Sequence, residues 1–226
     1  MSCADALRSP ADATERAVER LGIEPRHAVL DLGCGEGRHA MSIESRRPRL
    51  HVGIDIGMDS LRVVQRSEGV SANGRGGGRP GRGFVCGDAL SLPFADGRFD
   101  RVVCSLVLYL LPLERAVAEL ARVVRPAGRV YARVPMLAWG RLVETARGPS
   151  IRSRVYGLGH VLSGAVYAVV GRQVRSPFLR RDAWACYVPL RRFRQAVERG
   201  GFAVDHLEID WPRPRVPSIE AWLRRV

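Results

Sequence analysis

The 226-residue sequence contains no lysine, and all 36 of its basic residues are arginine. Such usage is typical of a GC-rich genome and does not by itself indicate guanidinium chemistry. The acidic residues that offset the arginines are distributed unevenly along the chain. Residues 1–125 hold 18 arginines and 16 acids, a net charge of +2, whereas residues 126–226 hold 18 arginines and 7 acids, a net charge of +11. The basic second half suits an anionic substrate, a membrane surface or a nucleic acid.

Paired cysteines and long apolar runs are also lacking. The five cysteines are odd in number and show neither paired nor metal-type spacing, so we expect reduced thiols and no metal site. The longest apolar run, 155–170, is interrupted by glycine, serine and histidine, and a membrane-spanning helix needs about 20 cleaner residues. The chain begins with no charged-then-apolar segment, so we expect a cytoplasmic protein.

Strand-like and helix-like segments alternate along most of the chain. The pattern predicts strands at 28–32, 51–56, 83–86, 101–106, 128–134 and 202–209, and helices at 10–21, 38–45, 60–67, 113–124 and 190–199. This alternation predicts an α/β fold: a Rossmann-like, doubly wound, mostly parallel sheet with helices on both faces. A single domain of this kind accounts for residues 1–226.

Three segments depart from the alternation. Residues 69–83 are rich in glycine and arginine and predict a flexible loop, with an RNA contact as the alternative. Residues 136–182 form an insertion after strand five and predict a helical lid over the substrate. Residues 210–226 contain three prolines, so we expect the seventh strand to be short, replaced or missing, with a short capped helix at 218–222.

The most informative stretch reads Val-Leu-Asp-Leu-Gly-Cys-Gly-Glu-Gly-Arg at residues 29–38. A buried strand is followed by a glycine turn and a helix start, and glycines at alternate positions let the backbone turn tightly against a ligand. Asp55 falls at the end of the second predicted strand, where a carboxylate can accept hydrogen bonds from both ribose hydroxyls. That spacing also suits NAD, so a dehydrogenase is an alternative on this feature alone.

These motifs, together with Cys86-Gly87-Asp88-Ala89 and residues 119–129, resemble the class I S-adenosylmethionine-dependent methyltransferases, in particular their small-molecule (UbiE-like, methyltransferase type 11) branch. The resemblance covers residues 25–135 and, more weakly, 184–209. The acidic residue inside the first motif, Asp-Leu-Gly-Cys-Gly-Glu-Gly, favours this family over the dinucleotide fingerprint G-x-G-x-x-G. The resemblance implies S-adenosylmethionine as cofactor and methyl transfer as the reaction.

The resemblance also implies how the cofactor is held. The carboxylate of Asp31 helps to position the methionine part above the glycines, Asp55 binds the ribose, and Asp88 with the N–H that follows it binds the adenine. Leu106, at the end of strand four, is expected to touch the cofactor. The full predicted cofactor-binding set is Asp31, Gly33, Cys34, Gly35, Gly37, Asp55, Ile56, Asp88, Ala89 and Leu106.

Two candidates stand on the acceptor side. Tyr109 follows strand four and could contact the substrate or be a half-buried aromatic residue, and His160 in the predicted lid is a candidate general base. The chain lacks the motifs for methylating exocyclic base amines, cytosine C5 or arginine, which disfavours nucleic-acid and protein acceptors. We therefore expect a small, apolar or lipid-like acceptor, whose reacting atom the sequence does not specify.

The apolar positions of residues 155–169, flanked by arginines, leave three interpretations open: packing on the core, admission of an apolar acidic substrate, or peripheral contact with an anionic membrane. Two alternative functions also stay open. One is an RNA-directed methyltransferase that uses the basic half, and the other is a non-catalytic cofactor-binding scaffold or sensor. The sequence predicts no oligomeric state.

Overall fold

The computed structural model describes residues 10–67, 81–136, 150–173, 186–210 and 217–226. Within these ranges the helices and strands follow the alternation that the sequence predicts. In chain order they are α1 (Pro10–Leu21), β1 (Ala28–Leu32), α2 (Ala40–Ser45), β2 (Leu50–Asp55), α3 (Met58–Ser67), β3 (Arg82–Cys86), β4 (Phe99–Ser105), α4 (Leu113–Val123), β5 (Val124–Pro135), α5 (Ile151–Val170), α6 (Leu190–Arg199), β6 (Phe202–Asp210) and β7 (Ser218–Arg225).

The strands form one seven-stranded sheet in the order β3-β2-β1-β4-β5-β7-β6. Strands β1 to β5 are parallel, and β7 is antiparallel to both of its neighbours. The strand order reverses between β1 and β4, and ligands of open α/β sheets bind in the crevice that such a reversal leaves at the carboxyl ends of the strands. The fold therefore places a ligand crevice next to the end of β1.

Helices cover both faces of the sheet, because side chains alternate between the faces along each strand. Val29, Val103 and Tyr131 pack with α1 and α2 on one face. Alternate residues of the same strands, such as Leu30 and Val102, pack with α4 and α6 on the other. The predicted Rossmann-like fold class is confirmed.

The expectation about the last strand is wrong, as is the short helix at 218–222. Strand β7 is eight residues long and lies inside the sheet, paired with residues 129–135 of β5 and with β6. The prolines precede the strand instead of interrupting it, and the carbonyl of Pro217 accepts a hydrogen bond from the N–H of Met136 at 2.8 Å. Ile219 and Trp222 are buried on opposite faces of the sheet. The next two positions on the face of Ile219 are apolar, whereas those that share a face with Trp222 are Ser218, Glu220 and Arg224.

The two internal segments that the sequence singled out are described in part. Arg82 and Gly83 belong to β3 and not to the expected loop, of which residues 69–80 lie outside the described ranges. In the 136–182 insertion, α5 and residues 171–173 are described, whereas 137–149 and 174–182 are not. None of the helices in the described ranges has the length and hydropathy needed to cross a bilayer.

Candidate cofactor site and acceptor side

The turn after β1 requires glycine at three positions. Gly33, Gly35 and Gly37 have φ angles of 70°, 52° and 84°, in the left-handed region that glycine adopts without steric cost. A Cβ at Gly33 would lie 2.1 Å from the Cγ2 of Val107, and one at Gly37 would lie 2.3 Å from the Cγ2 of Val64. At Gly35 a Cβ would meet nothing within 4 Å. The side chains of Val107 and Val64 therefore pack closely against the turn, whereas the space next to Gly35 is open.

Asp55 fastens this turn to the end of β2. Its Oδ2 accepts a hydrogen bond from the N–H of Gly35 at 2.9 Å, and its Oδ1 accepts one from the N–H of Gly57 at 2.7 Å. The N–H groups of Gly33 and Cys34 donate to the carbonyl of Ile54 at 2.7 and 3.1 Å. Each oxygen of an ionised carboxylate has a second acceptor position, so Asp55 can hold the turn and still accept from a ligand hydroxyl.

A cavity of about 620 Å³ lies along the turn, within the size range of small-molecule and cofactor pockets. It brings together five of the ten predicted cofactor residues: Gly33, Cys34, Gly35, Gly37 and Leu106. The other five, Asp31, Asp55, Ile56, Asp88 and Ala89, do not line it. The remaining lining residues were not predicted: Glu36, Arg38, His39, Met41, Ser60 and Ser105.

Asp31 is a buried carboxylate directly behind the turn. It is 1% exposed, and its Oδ1 lies 3.9 Å from the Nδ1 of His39. Burial raises the pKa of Asp31 and lowers the pKa of His39. Among the residues that the structure describes, none makes a hydrogen bond to the Oδ2 of Asp31. A buried acceptor in this position is suited to a water molecule or to a cationic ligand group.

Cys34 was predicted as a site residue from the sequence, whereas His39 was not. Burial raises the pKa of the Cys34 thiol, so this residue is a protonated thiol that lines the turn. His39 was missed, although it comes just before α2 and packs against Asp31 from there. The one signal was its position at the start of the helix after a glycine turn, and that signal does not specify a histidine.

The end of β3 lies next to the end of β2. The N–H of Gly87 donates to the carbonyl of Asp55 at 3.0 Å, which ties the two ends together. Asp88 is exposed, and its Oδ1 accepts from the N–H of Leu90 at 2.8 Å. Ile56 is 74% exposed, whereas Ala89 packs against the core. The sequence-predicted ribose and adenine residues therefore form a continuous rim beside the glycine turn.

Leu106 has an unusual backbone conformation for a leucine. Its φ is 61°, and its N–H donates to the carbonyl of Arg133 at 2.8 Å. A non-glycine residue in this region costs of the order of 1 kcal/mol and is found preferentially at ligand sites. Leu106 is 38% exposed and lines the cavity with Ser105, so the strained turn presents an apolar side chain to the pocket.

The structure brings the two acceptor-side candidates together. The rings of Tyr109 and His160 lie 6.1 Å apart, and His160 lies 5.4 Å from the ring of Tyr187. The N–H of Tyr187 donates to the carbonyl of His160, and the N–H of Cys186 donates to the carbonyl of Tyr109. His160 is buried, and neither it nor Tyr109 lines the cavity at the turn. Tyr187 was missed, because nothing in its spacing links it to either residue.

An ion-pair group links β5 to β6 and β7. Arg133 of β5 contacts Asp210 at 2.9 Å and Glu220 at 3.3 Å, which lie on β6 and β7. Burial raises the pKa of Glu220. This group was also missed, because it depends on the seventh strand lying between β5 and β6.

Comparison with known proteins agrees with this geometry. Residues 30–132 match the family model described as a methyltransferase domain. A demethylmenaquinone methyltransferase from Thermobifida fusca is 37% identical over 123 residues, which cover 50% of this chain and 49% of that protein. A fatty-acid O-methyltransferase from Mycolicibacterium smegmatis is 31% identical over 177 residues, 73% of this chain and 60% of that protein. The chain spans about half the length of the first curated relatives that it matches.

The fold has close counterparts among solved structures. A crystal structure of an S-adenosylmethionine-dependent methyltransferase from Methanosarcina mazei superimposes with a TM-score of 0.65 at 18% identity, covering 92% of this chain and 97% of that chain. At this identity the likeness concerns the fold, which is the fold of solved S-adenosylmethionine-dependent methyltransferases. The sequence match places a methyltransferase domain at residues 30–132.

Proposed function

We propose that this chain binds S-adenosylmethionine at the glycine turn and transfers its methyl group to a small, apolar or lipid-like acceptor. The observation that carries the proposal is the junction of Gly35 and Asp55. The backbone at Gly35 borders open space, and its N–H is held at 2.9 Å by a carboxylate that has further acceptor positions. A ligand with a ribose and a charged amino-acid part fits this combination.

The residues at the turn fit the cofactor in three respects. The unsatisfied oxygen of Asp31 suits the ammonium end of the methionine part, directly or through water. Asp55 and Ile56 are suited to the ribose, and Asp88 with Ala89 to the adenine. The remaining contacts are assigned to the residues that line the cavity: Gly33, Cys34, Gly35, Gly37 and Leu106.

The bound cofactor supplies a methyl group that is already activated on a sulfonium. The chain therefore has to align the acceptor and exclude water, and it needs a base only when the acceptor must lose a proton. We assign the apolar wall next to the reacting centre to Leu106. We assign the candidate base to His160 and a substrate contact to Tyr109.

Three aromatic rings support an apolar or planar acceptor. The rings of Tyr109 and Tyr187 both lie within about 6 Å of the ring of His160, so the three rings form an aromatic cluster next to the end of β4. The two relatives described above are named for demethylmenaquinone and for a fatty acid, and both of these are small molecules. Met136 and Val188 form a parallel bridge, so the insertion leaves and rejoins the fold at neighbouring positions. We propose that this insertion is the lid of the acceptor side.

The first test is calorimetric titration of the protein with S-adenosylmethionine, with NADH as the competing cofactor. We expect micromolar binding of the methyl donor alone, lost in Asp55→Ala and weakened in the more conservative Asp55→Asn. The matched control is Asp59→Ala, because Asp59 is a fully exposed carboxylate on α3 that pairs with Arg62 alone among the described residues. Binding of NADH, or no binding of the donor by folded protein, would overturn the proposal.

The second test concerns the acceptor. Labelled methyl transfer from S-adenosylmethionine is measured with a prenylated quinol, a long-chain fatty acid and a short polar phenol. We expect transfer to an apolar acceptor and little to the polar phenol. Donor binding without transfer to any apolar acceptor would contradict the acceptor class while leaving the cofactor assignment intact.

A further inference from the structure

Helix α5 has most of its larger aliphatic side chains on the outside. The face that packs against the protein consists mainly of small and polar residues, with one aromatic and one aliphatic side chain. Its members are Gly157, Gly159, His160, Val161, Ser163, Gly164 and Tyr167. The opposite face is aliphatic and exposed. Its members are Ile151, Val155, Leu158, Leu162, Val166 and Val169, here called the α5 stripe.

The α5 stripe is a single continuous surface. Its residues recur at intervals of three and four, which places their side chains in one row along a helix. The exposed fraction of its side chains runs from 38% at Val166 to 84% at Val169, so all six are exposed on the surface. Scattered exposed aliphatic residues need no explanation, but a row of six along one helix indicates a surface that meets an apolar partner.

The surroundings of the stripe are basic. Helix α5 contains no acidic residue. Arg154 is exposed in its first turn, and Arg172 is exposed just beyond its end. Helix α6, which contacts α5, adds the exposed side chains of Arg191 and Arg194. An apolar row with positive charge at both ends matches a surface that is apolar inside and anionic at its boundary.

We propose that the α5 stripe docks this protein on the surface of an anionic lipid bilayer. The aliphatic row enters the boundary between headgroups and acyl chains, and the flanking arginines contact lipid phosphates. A second copy of the chain fits less well. Two α5 helices packed stripe to stripe would bring arginine ends against arginine ends, with no acid on either helix to compensate.

Helix α5 connects the proposed membrane contact with the acceptor side. The buried face of α5 carries His160, which lies against Tyr109 and Tyr187 on the acceptor side. One helix would then touch the bilayer with its outer face and border the acceptor side with its inner face. The docking inference rests on α5 and the arginines around it, and it holds whether or not the chain transfers methyl groups.

The test is flotation of the full-length protein with vesicles of phosphatidylcholine alone and of phosphatidylcholine mixed with phosphatidylglycerol, without cofactor. We expect binding to the anionic vesicles only, weakened by added salt. The double variant Leu158→Gln/Leu162→Gln should bind about ten-fold more weakly or worse, because its apolar contact is lost. Arg154→Gln should bind about five-fold more weakly.

Helix α3 supplies matched controls. Val63→Gln replaces an aliphatic residue that is 46% exposed, and Arg66→Gln removes an exposed arginine. Both should bind anionic vesicles as the wild type does.

Four outcomes overturn the proposal. The first is no vesicle binding by the wild type, and the second is equal binding to both kinds of vesicle. The third is a wild-type dimer, seen by sedimentation, that the double variant dissociates without any vesicle binding. The fourth is a lower melting temperature of the double variant without vesicle binding, which would mean that another part of this chain covers the stripe.

Discussion

The glycine turn and helix α5 are both conspicuous in the sequence, yet only at the turn do the residue types follow from the backbone conformation. At the turn the backbone fixes the residue type: three positive φ angles and two side chains behind it exclude a Cβ. On α5 the helical periodicity is equally clear, but a period shows which side chains share a face and not what that face touches. A motif determined by backbone geometry can therefore be read from sequence, whereas the environment of an amphipathic face cannot.

The two regions also differ in charge. The turn and its rim lie in the half of the chain with a net charge of +2, and α5 lies in the half with a net charge of +11. The proposed cofactor site with its three aspartates and the basic helix α5 thus occupy different parts of one sheet-based fold. Substitutions in one part are therefore expected to act separately from substitutions in the other.

The largest effect is expected at the turn. Gly33→Ala places a Cβ 2.1 Å from Val107 at a φ of 70°. We expect it to lower the free energy of unfolding by about 3 kcal/mol and to reduce affinity for S-adenosylmethionine at least about 100-fold. Urea unfolding and calorimetry check this. Gly83→Ala is the control, because a Cβ there meets nothing within 4 Å. Unchanged donor affinity in Gly33→Ala would place the cofactor elsewhere.

The next effect tests the strand that the sequence analysis missed. Ile219 on β7 is fully buried in the core cluster shared with α4 and α6. We expect Ile219→Ala to lower the free energy of unfolding by about 2 to 4 kcal/mol, because a cavity replaces the side chain, with donor affinity unchanged. Ile151→Ala, at a position that is 80% exposed, should change stability by less than about 0.5 kcal/mol. A loss of donor binding in Ile219→Ala would show that the two halves are coupled.

Local signals explain what the sequence analysis could and could not predict. Strand β1 and helix α6 were predicted at their observed bounds, because caps and glycines end them within a few residues. Strand β7 was missed because its proline-rich approach and Ser-Ile-Glu start are typical of a loop and a helix cap. Its strand conformation depends on pairing with β5, about 90 residues earlier. The approach of Tyr187 to His160 likewise depends on where the insertion rejoins the fold.

A smaller effect is expected on the acceptor side. If His160 removes a proton from the acceptor, His160→Gln should lower kcat about 100-fold and leave the Kd for S-adenosylmethionine unchanged. The methyl-transfer rate of the variant should rise with pH, because hydroxide in solution then takes the place of the missing base. A purely structural role of His160 would not produce that rise. Initial rates across pH, with the acceptor found by the methyl-transfer screen, check this. His206→Gln, on β6, is the control and should keep the wild-type profile.

The smallest effect compares two buried aspartates that lie on neighbouring strands. Asp100 accepts a hydrogen bond from the N–H of Ala28 at 2.7 Å and pairs with Arg125 at 2.5 Å. Asp31 has an oxygen with no hydrogen-bond partner in the described part of the chain, and burial raises its pKa above the ordinary value of 3.8. At neutral pH we expect Asp31→Asn to raise the free energy of unfolding by about 1 kcal/mol and Asp100→Asn to lower it by a similar amount.

The pH dependence of stability gives the sign of the Asp31 contribution. Because the pKa of Asp31 is higher in the folded protein than in the unfolded chain, the folded state binds the proton more tightly. Stability from this group therefore falls as the pH rises from about 3.8 through the raised pKa, and Asp31→Asn should lack that fall. The same variant should bind S-adenosylmethionine more weakly, since the carboxylate is assigned to the cofactor. A variant that is both more stable and poorer in donor binding would identify Asp31 as a group kept charged for its ligand, whereas a loss of stability like that of Asp100→Asn would make it a structural carboxylate.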